Sequence, residues 1–167
     1  MSHHEHKERS PRTIGCVVLT ASDTRDEAND ESGRLMREML TEQGHRVVDY
    51  RILKDDPGPI SVFVREKLAV PEVQAILING GTGLAQRDST FEAIDGMLEK
   101  RLPGFGELFR YLSYLEIGAS AMLSRACAGV VRSRVVISVP GSTDAVRLAM
   151  EKLILPELAH LVWTSRP

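Results

Sequence analysis

Residues 14–20, IGCVVLT, run almost without polar interruption. A strand with one face in water would alternate apolar and polar residues. A continuous run of this length belongs to a strand covered on both faces, the signature of an interior strand in a parallel sheet with helices above and below. The rest of the chain keeps to that plan. Leu35, Met36, Met39 and Leu40 mark one face of a helix that stops at Gly44. Val47, Val48, Tyr50, Ile52 and Leu53 read as a second strand. Pro57 and Pro59 then open a helix with Ile60, Phe63, Val64 and Leu68 inward. Residues 75–78 give a third buried strand. Phe91, Ile94 and Leu98 mark another helix, and Phe105, Leu108, Phe109 and Leu112 the core side of the next, after Pro103. Residues 128–131 and 135–139 are short strands joined by Arg132-Ser133-Arg134, a hairpin. A final helix carries Val146, Ala149, Met150, Leu153 and Ile154, bent or interrupted at Pro156. The expected fold is α/β: three layers, α/β/α, about a mostly parallel open sheet.

Composition narrows the function. The chain has 167 residues, 43% of them hydrophobic, which suits one compact domain over residues 13–167. Residues 1–12 are polar and read as a disordered tail whose His3, His4 and His6 carry no structural role. The net charge of −2 comes from interspersed acids and bases, so neither nucleic acid nor a membrane surface is an expected partner. No apolar stretch reaches the ~20 residues of a membrane helix, and no apolar signal core opens the chain. Cys16 and Cys127, far apart among apolar or small residues, read as buried thiols of a cytoplasmic protein.

In open α/β sheets, ligands gather at the carboxyl ends of the strands. Four polar clusters fall there: TASD (20–23), with Ser22 and Asp23; KDD (54–56); NGGTG (79–83); and PGST (140–143). Gly80, Gly81 and Gly83 permit positive φ and close approach of a ligand to the backbone. Successive amides in such a loop make an anion-binding concavity. Ser142 and Thr143, near a helix start, favour phosphate in the same way. A Walker A motif and a G-x-G-x-x-G fingerprint are both missing. Asp55, Asp56 and Asp88 beside a phosphate cradle would repel the ligand unless a cation intervenes, a conflict that Mg²⁺ resolves. Asp88 also reads as a helix cap, as do Ser89 and Thr90, and capping does not exclude a metal or catalytic role. Arg87 and Arg125 could neutralise phosphate charge. No histidine or cysteine joins these loops in a nucleophilic arrangement, so covalent catalysis is not expected.

The segments LTASDTRDEANDESG (19–33), LINGGTGLAQRDSTFEAI (77–94), LPGFGELFRYLSYLEIG (102–118), AMLSRACAG (121–129) and VPGST (139–143), in this order, resemble the MoaB/Mog family of molybdenum-cofactor biosynthesis proteins. The similarity covers residues 13–160, and the wording lies closer to the MoaB branch. It implies a molybdopterin-binding α/β/α domain that assembles as a trimer or hexamer. The reaction it implies is adenylylation: AMP passes from Mg·ATP to the terminal phosphate of molybdopterin, releasing pyrophosphate. The family's two functional acids map onto Asp55 and Asp88, as catalytic and Mg²⁺-binding residues. Asp30, Ser32 and Gly33, the loop Gly80-Gly81-Thr82-Gly83, and Pro140-Gly141-Ser142-Thr143 correspond to its ligand-binding segments. Glu107, Ser124 and Arg125 lie in motifs bordering the same pocket. Phe91 stands where the family often has proline, and Pro140–Thr143 differs from the PGxP of the Mog branch.

The chemistry agrees with the missing base. A phosphate monoester, with a second pKa near ~6, is already an anion at neutral pH. The protein then has to supply positioning and charge shielding. The alternative is a non-catalytic molybdopterin-binding or scaffold protein of the same pathway. A nucleotide hydrolase or ligase on a similar fold is the third reading, disfavoured by the absent P-loop.

Overall fold

A computed structural model describes residues 10–167, so the expected tail and its histidines fall mostly outside the described residues. Six strands form one sheet: β1 (Gly15–Ala21), β2 (Arg46–Leu53), β3 (Ala75–Gly80), β4 (Lys100–Arg101), β5 (Cys127–Val131) and β6 (Arg134–Val139), in the order β2-β1-β3-β6-β5-β4. β1 runs parallel to β2 and β3, and β3 parallel to β6. β5 is antiparallel to both β6 and β4. The mostly parallel α/β sheet is therefore as expected. Every residue of β1 and β3 is buried, as their unbroken apolar runs require. The two-residue β4 has no sequence signature, because two charged residues give no apolar pattern to read.

The helices are α1 (Glu31–Glu42), α2 (Pro57–Leu68), α3 (Thr90–Met97), α4 (Pro103–Ile117), α5 (Thr143–Ala149) and α6 (Leu155–Thr164). A 3-10 turn, Gly118–Leu123, follows α4, and a π segment, Met150–Ile154, joins α5 to α6. Odd and even strand residues face opposite layers. Val18, Leu77 and Ile137 meet Met36, Leu40, Phe109, Val146 and Leu158 on one side. Val17, Leu19, Ile76, Ile78 and Val136 meet Ile60, Phe63, Val64 and Ile94 on the other. Each such side chain contributes roughly 1.5–3 kcal/mol by leaving water.

The strand order positions the site. The chain steps from β1 outward to β2, then returns past β1 to β3. Right-handed crossovers in opposite directions put α1 and α2 on opposite faces. The direction of the connections therefore switches between β1 and β3, and in open α/β sheets ligands gather at the carboxyl ends of the strands at such a point.

One expectation needs correction. Leu108 is 53% exposed rather than inward. Phe105, Phe109 and Leu112 already complete the 4,3 spacing of one helix face, and Leu108 lies about 100° away from Phe109. It joins Tyr111, Tyr114, Leu115, Ile117, Met122 and Leu123 on an exposed apolar surface of α4 and the 3-10 turn. The final helix is interrupted at Pro156, as expected, for a π segment separates α5 from α6. The π segment immediately before it widens the helix, which accommodates the ring and the missing N–H. The hairpin is present, and its turn holds two non-glycine residues at positive φ, Arg132 at 48° and Ser133 at 60°. No helix among the described residues is long and apolar enough to cross a membrane.

Candidate functional site

The four strand-end loops touch one another in a ring. Asp23 Oδ1 accepts the amide of Asp55 at 3.1 Å, joining the loop after β1 to the loop after β2. Asp55 Oδ1 accepts the amides of Ser89 (3.3 Å) and Thr90 (3.1 Å) and the Thr90 hydroxyl (2.6 Å), joining that loop to the one after β3. A side-chain carbon built on Gly141 would lie 3.0 Å from Gly80 Cα, so the loops after β3 and β6 meet backbone to backbone. Arg25 closes the ring, donating to Gly141 O at 2.8 Å and to the Ser32 hydroxyl.

The glycine loop needs its composition. Gly80 and Gly81 have φ of 96° and 62°, and a side chain at Gly80 would collide with Ala21 O. At Gly81 it would collide with Thr90 and come within 2.7 Å of Asp55 Oδ1. At Gly83 it would collide with the Asp88 carboxylate. Alternate glycines of one loop thus each pack against one of the two predicted acids. Asp56 takes no part: it caps α2, accepting the Gly58 amide at 2.9 Å.

Helix α3 is capped from outside its own chain segment. Ser89 sits at its N-cap position without a side-chain bond, and Asp55 receives the free amides in its place. Asp88 instead turns back on its loop, where Oδ2 accepts the Ala85 amide at 3.2 Å. Neither acid is buried. Among the described residues no group of three or more His, Cys, Asp or Glu side chains is placed to hold a metal ion. Asp55 and Asp88, each beside a glycine of the same loop, are the residues that would hold Mg²⁺, an ion that commonly takes one or two protein oxygens and completes its shell with water and phosphate.

Beneath the loops lies a buried polar network. Asp30 accepts from Thr20 Oγ1 (2.6 Å), Tyr50 OH (2.5 Å) and the Gly33 amide (3.1 Å). Ser32 Oγ donates to Asn79 Oδ1 at 2.9 Å, and Asn79 Nδ2 donates to Thr20 Oγ1 at 2.9 Å. Burial pushes the Asp30 carboxyl upward, but these hydrogen bonds and Arg25 outweigh it and hold the group below the usual range. Burial and the hydrogen bond to Asp30 raise the Tyr50 phenol. Asp30, Ser32 and Gly33, expected along the ligand, lie under the floor and tie β1, β3 and α1 together.

The other predicted residues divide. Ser22 Oγ accepts the amides of Thr24 and Arg25 and shapes the first turn. Thr82 is buried, while Arg87 is exposed, its side chain without a partner among the described residues. Ser124 lines a pocket of about 170 Å³ with Pro140 and Ser142, and Ser142 Oγ caps α5 by accepting the Ala145 amide. Thr143 begins that helix. Glu107 lies in a separate cleft of about 230 Å³ with Phe91, Asp95 and Arg110. Arg125, read as a neutraliser of ligand phosphate, is engaged by protein acceptors: Thr82 O at 2.8 Å, Gly83 O, and the Glu92 carboxylate. Its guanidinium holds Glu92 below the usual carboxylate range.

Sequence reading missed Arg25, whose partners lie 7 and 116 residues away and leave no local pattern. It also gave Asn79 no role, although a polar residue closing the buried run AILIN was a usable signal.

Comparison with known proteins supplies the family. Residues 14–160 match the family model MoCF_biosynth, described as "Probable molybdopterin binding domain". Molybdenum cofactor biosynthesis protein B of Bacillus cereus is 52% identical over 164 residues, covering 98% of this chain and 97% of its own. A crystal structure of a molybdenum cofactor biosynthesis protein B superposes with a TM-score of 0.90 at 51% identity, over 94% of this chain and 98% of that one. The tungsten cofactor synthesizing protein MoaB from Pyrococcus furiosus gives 0.84 at 36% identity, over 95% and 100%. A fold and a sequence shared along nearly the whole length identify the chain as a member of the MoCF_biosynth family of molybdopterin-binding domains, in molybdenum cofactor biosynthesis.

Proposed function

We propose that this chain binds molybdopterin in the crevice at the ends of β1, β3 and β6 and transfers AMP to it from ATP, releasing pyrophosphate. The observation that carries the reading is the placement of Asp55 and Asp88 against alternate glycines of one loop, at the topological switch of the sheet. The pterin phosphate is already anionic and attacks the α-phosphorus of ATP, and pyrophosphate leaves. The obstacle is the meeting of two anions. Loop amides and Arg87 lower that repulsion and orient the phosphates. Asp55 and Asp88 would hold Mg²⁺, which would supply further charge neutralisation.

A second reading, a molybdopterin-binding protein without turnover, draws on one observation: Asp55 Oδ1 already accepts three hydrogen bonds. One assay separates the two. Purified protein incubated with molybdopterin and Mg·ATP is expected to yield adenylylated molybdopterin and pyrophosphate, and Asp88→Asn to lose that product while retaining pterin binding. Intact pterin binding by the wild type with no product would overturn the transferase in favour of the binder. We further propose that the chain works as a homotrimer, or a hexamer built of trimers, joined through the apolar surface of α4.

A further inference from the structure

We propose that Arg125 is the positioning residue of the glycine loop, aiming two successive amide N–H groups, those of Gly83 and Leu84, at the phosphate of the ligand. This deepens the proposed function and takes from it only that a phosphate-bearing ligand occupies the crevice.

Arg125 stands two residues before β5, and the two residues after it, Ala126 and Cys127, are buried, which anchors its backbone. Its Nε donates to Thr82 O at 2.8 Å, and a terminal nitrogen donates to Gly83 O. The other terminal nitrogen holds Glu92, and the guanidinium lies 4.7 Å from the centre of the Phe91 ring. The cation is thus gripped on its far side by α3 and presents a fixed fork to two consecutive carbonyls.

Peptide geometry supplies the next step. No peptide bond among the described residues is cis. In a planar trans peptide the C=O and the following N–H point in opposite directions. Holding the carbonyls of Thr82 and Gly83 toward Arg125 therefore directs the amides of Gly83 and Leu84 away from it. Neither amide has an acceptor among the described residues, whereas the next one, Ala85, is taken by Asp88. Gly83 and Leu84 are both exposed, so these donors stand open to a ligand. Adjacent N–H groups pointing the same way form an anion-binding concavity. A lysine could bring the same charge but not the planar fork that holds two carbonyls at once.

The test uses Arg125→Lys and Arg125→Ala in the full chain, with ¹⁵N spectra of the Gly83 and Leu84 amides in the free protein and molybdopterin titrations beside them. Both variants are expected to shift and broaden those two amides, and to bind molybdopterin at least about tenfold more weakly, the scale of hydrogen bonds to a charged group. Wild-type affinity in Arg125→Lys would overturn the proposal, because a direct charge contact survives that change and an orienting fork does not. Unaltered loop amides in both variants would also overturn it. If the wild type itself binds no molybdopterin, the proposed function fails separately, and the free-protein spectra still decide the role of Arg125. Should Arg125→Ala not fold, Glu92→Gln loosens the same grip and is expected to disturb the same two amides; their constancy would count against the proposal.

Discussion

The carboxylate of Asp55 lies 2.6 Å from the Thr90 hydroxyl, across 35 residues of sequence, and serves as the cap that helix α3 lacks in its own segment. A residue mapped to chemistry thus also sets where the helix behind the glycine loop begins. Asp55→Ala should destabilise the fold by about 1–2 kcal/mol, the range for loss of a helix cap. Asp55→Asn, which keeps an acceptor oxygen, should recover most of that. Asp88→Asn should leave stability within about 0.5 kcal/mol of wild type, as for substitutions away from structural linchpins. Urea unfolding of the three variants checks the ordering.

His45 makes a pH-dependent contribution. Its Nδ1 accepts the Ile14 amide at 3.3 Å, and burial lowers its pKa below the 6.5 of the free side chain. In the window below pH 6.5 the unfolded chain therefore binds more protons than the folded one. Stability from this group is full above pH 6.5 and is lost as pH falls through the lower folded value. Urea midpoints should drop between pH 7.5 and pH 5.5 (round experimental settings, roughly one unit either side of the free pKa). His45→Asn should shrink that drop.

The β5–β6 turn holds Ser133 at φ 60°, a conformation that costs an L-residue roughly 1–2 kcal/mol. Tight hairpin turns of this handedness favour glycine at their second position. Ser133→Gly should raise stability by up to about 1 kcal/mol, the strain relieved less the added freedom of the unfolded chain. A higher thermal midpoint checks it.

Tyr111 and Leu115 are 60% and 63% exposed on the outer face of α4. Replacing Leu115 by Arg should shift light-scattering mass from trimer or hexamer toward monomer, with the circular dichroism spectrum unchanged. A wild type that is monomeric at working concentration would remove the basis for that expectation.

Much of the fold was legible because burial on both faces leaves an uninterrupted apolar pattern, as in β1 and β3. The hairpin and the proline-led helices carried their own local chemistry. Leu108 was misplaced because a helix with apolar residues around most of its circumference does not declare which stripe faces inward. Within the site, the glycines and Asp88 stood out through local composition. The work of Arg25, Asp55 and Arg125 could not, since each acts on partners at least 34 residues distant in at least one of its contacts. Such contacts exist only after the sheet has brought its strand ends together.

The π segment before Pro156 has a further consequence. Val146, Met150, Ile154, Leu158 and Val162 are all buried, a column spaced by four residues throughout. In a regular α-helix each such step drifts by roughly 40°, enough to carry the far end of the column off the sheet. The wider turn at Met150–Ile154 takes up about one extra residue, roughly 100° of rotation, and so winds most of that drift back and lets α5 and α6 bury one continuous seam. Deleting one residue there should restore the regular hydrogen-bond pattern and leave Leu158 and Val162 facing the sheet, because the π turn takes up about one extra residue and the helix beyond it keeps its facing.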